Sequence, residues 1–126
     1  MTHRYTLLVG GTVISGRDEP DFSAIAWAAD TVIALGSDAD VRGTSRGDSH
    51  VIDLAGAIVV GLGEGTDVRW PPESTLEVGG RADLAVLDSD PRRTVGPVGQ
   101  PLSALAVVRG GRVVAGQLSG EPGHRA

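Results

Sequence analysis

Three histidines, His3, His50 and His124, are the side chains of this sequence best suited to hold a metal or carry a proton, and they are scattered along its whole length. A catalytic zinc takes about three protein ligands on one preorganised site. No two of these histidines are local neighbours, and there is no cysteine to complete a set. His3 and His124 are expected on mobile ends. His50 opens an expected strand, where a hydrogen-bonded edge histidine is a better reading than a ligand. All 11 basic residues are arginine. That removes Schiff-base lysines, phosphate-loop lysines and carbamylated-lysine metal bridges together, as the lack of cysteine removes disulfides and thiol nucleophiles.

The carboxylates form two close pairs. Asp38 and Asp40 fit the first turn of a short helix, where negative charge is favourable. Asp88 and Asp90 fit a strand-ending turn, with Pro91 halting the strand. Neither pair offers enough oxygen ligands for calcium. Ser15, Ser23 and Ser45 have no neighbouring His and Asp to activate them. Gly61-Leu-Gly-Glu-Gly65 has the look of a phosphate-cradling loop, but such a loop opens a helix. Here it runs into Thr66-Asp-Val-Arg-Trp-Pro-Pro72 and reads as a linker. The expectation is no catalytic, cofactor-binding or metal-ligating residue, and no cofactor.

What must position these side chains is a series of short apolar runs separated by Gly or Asp, the all-β pattern. Tyr5–Val9, Gly10-Gly11 and Thr12–Ile14 predict a hairpin, because paired glycines supply the positive φ angles of tight turns. Ala24–Ala28 and 32–35 predict a second, around Ala29-Asp30, with Asp tolerated in left-handed backbone. Ser37 followed by Asp40 resembles a capping box, which predicts one short helical turn within 38–46. Residues 50–53 and 57–60 predict two strands around the turn Leu54-Ala-Gly56. After a break at 61–73 come 82–87, then 105–109 and 112–114 around Gly110-Gly111. Trp27 alternates with Ile25 and is placed in the core. Trp70, beside Pro71-Pro72, is read as a cover for sandwich surface or, as the alternative, a binding platform.

The fold class predicted is all-β: a small β-sandwich or partly open barrel of about nine short strands, with at most one short helix. At 126 residues the chain has one domain's worth of length and can bury roughly two thirds of its unfolded surface. A net charge of −5 favours neither nucleic acid nor an anionic membrane. The apolar run after Met1-Thr-His-Arg-Tyr5 is too short for a signal peptide, and no stretch nears the roughly 20 apolar residues that span a bilayer. A cytoplasmic location is the expectation.

Two stretches resemble the amidohydrolase superfamily of metal-dependent hydrolases, in particular its imidazolonepropionase-like, hydantoinase-like and amidohydrolase-3-type members. Leu7-Leu-Val-Gly-Gly-Thr-Val13, Ala24-Ile-Ala-Trp27 with Val32-Ile-Ala-Leu-Gly36, and Val51-Ile-Asp-Leu-Ala-Gly-Ala-Ile-Val-Val60 look like the opening of that family. Ala29-Asp30 stands where the family usually has Asp-Gly. Leu76-Glu-Val-Gly-Gly-Arg-Ala-Asp-Leu-Ala-Val-Leu-Asp88, Asp90-Pro91 and Val107-Val-Arg-Gly-Gly-Arg-Val-Val114 look like its close. The likeness covers roughly residues 6–60 and 74–116. It implies a composite β-sandwich built from segments before and after a metal-bearing (β/α)-barrel, and a strand pair at 51–60 leading into that barrel.

The departure lies between the two stretches. After Val60 the family continues with Pro-Gly, an apolar pair, Asp and a His-x-His pair, whereas this chain continues Gly61-Leu-Gly-Glu-Gly65 and soon reaches the closing motif. A barrel of about 250 residues is missing, and with it the metal site. The resemblance therefore implies one domain, 1–126: an N-terminal half 1–60, a bridge 61–73 in place of the barrel, a C-terminal half 74–116 and a flexible tail 117–126. It also implies apolar sandwich surface that a barrel once covered, and exposed surface of that kind marks interfaces. The function expected is that of a non-catalytic interaction or assembly module, as a homodimer or with a separate protein partner. The alternative is a non-catalytic part of a hydrolase of carbon–nitrogen bonds, complementing a separate barrel. A small-ligand module at the sandwich mouth is a third, weaker reading.

Overall fold

A computed structural model describes residues 5–15, 21–44, 49–63, 68, 75–88 and 104–116. Among these residues the chain forms nine strands and one short helix. The strands are β1 (Tyr5–Val9), β2 (Thr12–Ile14), β3 (Ala24–Ala28), β4 (Thr31–Gly36), β5 (Ser49–Asp53), β6 (Ile58–Gly61), β7 (Leu84–Leu87), β8 (Ala106–Arg109) and β9 (Arg112–Gly116); the helix α1 is Asp38–Arg42. They make a four-stranded sheet, β4-β3-β1-β5, and a five-stranded sheet, β2-β6-β7-β8-β9. The molecule is a small all-β sandwich.

Alternation along the strands divides the apolar residues into three layers. Leu8, Ile25, Trp27 and Ile52 of the first sheet meet Val13, Val59, Leu84, Val86 and Val108 of the second in the central core. Leu7, Val9, Ala24 and Ala26 take the outer face of the four-stranded sheet, where Val41 of α1 covers them. Ile14, Val60, Ala85 and Leu87 take the outer face of the five-stranded sheet, where Leu62 and Val68 join them. Most of both outer faces is buried in this way, β9 excepted. Residues of the bridge supply part of that cover.

The first predicted hairpin is not one. β1 is flanked by β3 and, in parallel, by β5, so both its edges are used before β2 begins. β2 instead enters the other sheet, parallel to β6. The predicted strand pair at 51–60 divides likewise, β5 joining one sheet and β6 the other. Two bent arms, β1–β2 and β5–β6, therefore cross the sandwich side by side. Backbone bonds Leu54 N–Val9 O (2.7 Å), Gly56 N–Gly10 O (2.9 Å) and Thr12 N–Ala57 O (3.0 Å) carry the pairing around the bend. Gly10 has φ +75° at this corner, and a Cβ on Gly11 would collide with the Ala57 carbonyl oxygen.

The remaining hairpins form as expected, with local differences. β3 and β4 pair antiparallel, but it is Ala29 (φ +54°), not Asp30, that takes the left-handed position. β8 and β9 pair around Gly110 (φ +57°) and Gly111 (φ +81°), the two positive angles of the tight turn that matches strand twist. The helix is capped as predicted: Ser37 Oγ accepts from Asp40 N at 3.1 Å. It is one turn long and ends at Gly43.

Candidate functional site

The candidate chemical residues are dispersed. His50 is the second residue of β5, half-buried and in register with Thr6. Asp38 and Asp40 lie in the first turn of α1, and Asp38 Oδ1 accepts from the amide of Gly10 at 3.1 Å, tying the helix to the β1–β2 corner. Ser15 is buried, and its carbonyl accepts from Leu76 N at 2.8 Å. Asp88 is exposed just after β7. His3, Ser45, Trp70, Asp90, His124 and the tail 117–126 lie outside the described residues. Trp27 sits in the central core as predicted, 3% exposed, and its Nε1 donates to Gly111 O at 3.1 Å.

The glycine-rich stretch is anchored at its start. Gly61 is the last residue of β6, opposite Leu84 of β7, and Leu62 N donates to Asp83 O at 3.1 Å.

One open cleft of about 590 Å³ brings together Thr12, Asp21, Phe22, Ser23, Leu35 and Asp40. With Ser37 the lining offers two carboxylates and three hydroxyls beside Phe22 and Leu35, a set that suits a hydrogen-bond donor or a cation. Ser23 Oγ is directed at Gly36 O, 3.4 Å away, and among the described residues no histidine lines the cleft. Among the described residues no three His, Asp or Glu gather as metal ligands would, and no helix is long and apolar enough to cross a membrane.

The organising carboxylate is one the sequence did not flag. Asp83 Oδ1 accepts from the Gly110 amide at 2.7 Å and from Arg81 Nε at 3.2 Å, and Oδ2 lies 3.6 Å from Arg109 Nη1. Arg109 Nη2 in turn donates to the carbonyl of Gly63. This group clamps the end of β6, the start of β7 and the β8–β9 turn. A charge-assisted bond to the Gly110 amide is worth about 1.5–3 kcal/mol, more than the exposed Arg81 pair, since surface ion pairs contribute about 0–1 kcal/mol. The signal available in the sequence was a single acidic residue at the head of an apolar run, Asp83-Leu-Ala-Val-Leu87. Nothing local says that a turn 27 residues later needs it.

What the clamp holds in place is β9. All five of its residues are exposed, with Val113 at 44% and Val114 at 60%, and Leu105 nearby at 49%. The other exposed large apolar side chain, Val78, belongs to a turn region before β7. The chain matches no family model, no curated protein and no solved structure.

Proposed function

We propose that the chain is a cytoplasmic, non-catalytic β-sandwich that acts as an interaction module, associating through its surface rather than transforming a substrate. The observation that carries this reading is β9, an outermost strand presenting Val113 and Val114 to solvent while the strands beside it are buried. Exposed apolar surface of this kind marks protein–protein contact. The dispersal of His50, Asp38, Asp40 and Asp88 over separate elements is in keeping with it. Light scattering on the purified chain is the test: a mass approaching twice 12.9 kDa is expected as the concentration rises through the micromolar range. A mass fixed at 12.9 kDa throughout would remove self-association from the reading.

A second reading has its own support. β6, which precedes the bridge, pairs antiparallel with β7, which follows it, Gly61 opposite Leu84. Gly61 and Leu84, where the sheet is left and re-entered, are thus neighbours, as they would be if a larger domain belonged between them. On this reading the chain is the sandwich part of an amidohydrolase-like enzyme of carbon–nitrogen bonds, completed by a separate barrel. A neighbouring gene encoding a barrel without its sandwich separates the two, favouring the second reading if present and sinking it if absent; an assay of the purified protein for bound metal and for hydrolysis of cyclic amides tests both. Stoichiometric zinc with turnover by this chain alone would overturn both.

A further inference from the structure

We draw no further inference here: the strongest candidate, the open cleft where the β1–β2 corner, the residues before β3, the end of β4 and α1 meet, rests on the exposed carboxylates of Asp21 and Asp40, and among the described residues no buried polar side chain lines it to point to a ligand.

Discussion

Two of the chain's three Gly-Gly pairs, Gly10-Gly11 and Gly110-Gly111, do opposite things. Gly110-Gly111 folds β9 back on β8 with both residues at positive φ. Gly10-Gly11, equally flanked by short apolar runs, sends the chain from one sheet to the other. The difference lies in what the preceding strand still has to offer. β8 has β7 on one side only and can accept β9 on the other, whereas β1 is bounded by both β3 and β5. A glycine pair licenses a sharp change of direction; the free edge decides whether it becomes a hairpin.

Both pairs are also places where backbone approaches backbone, and substitutions rank the two corners. Gly111→Ala meets two obstacles, a left-handed φ and the Ala29 carbonyl oxygen. The first costs about 1–2 kcal/mol and the overpacking about 1–3 kcal/mol, so urea unfolding is expected to show a loss of about 3–4 kcal/mol. A loss below about 1 kcal/mol would mean that this turn does not seat against the β3–β4 turn. Gly11→Ala meets only the steric obstacle at Ala57 and Leu54, and a loss of about 2 kcal/mol is expected. Should it prove the costlier of the two, the crossover and not the hairpin is the tighter joint.

Trp27→Phe keeps the core ring and removes the Nε1 bond to Gly111 O. It is expected to lower stability by about 1 kcal/mol, and combined with Gly111→Ala the losses should fall short of additive, since the two share one contact. The smallest change has the opposite sign. Ala29→Gly relieves a left-handed alanine at φ +54° and is expected to raise the thermal midpoint slightly, by up to about 1 kcal/mol in stability, less the backbone entropy glycine adds to the unfolded chain.

Strand identity was legible because alternation and turn residues are local. The predicted strands coincide with β1 through β9 to within a residue or two, and Ser37 marks the helix start as a cap should. Pairing was legible only where two strands in succession both had a free edge, as in β3–β4 and β8–β9. The clamp around Asp83 was not legible, since its partners Gly63, Arg81, Arg109 and Gly110 come from three separate segments.

The sequence by itself determined the class of fold, the positions of the strands and the chemistry closed to the chain, with no cysteine and no lysine. These follow from side-chain type and from a period of two, which need no knowledge of neighbours. Only the tertiary structure decided which glycine pair crosses the sandwich, which carboxylate holds the β8–β9 turn, and that Val113 and Val114 stand exposed on an outermost strand. Each of these depends on which strand edges have already been occupied, and occupancy is a property of the assembled sheets.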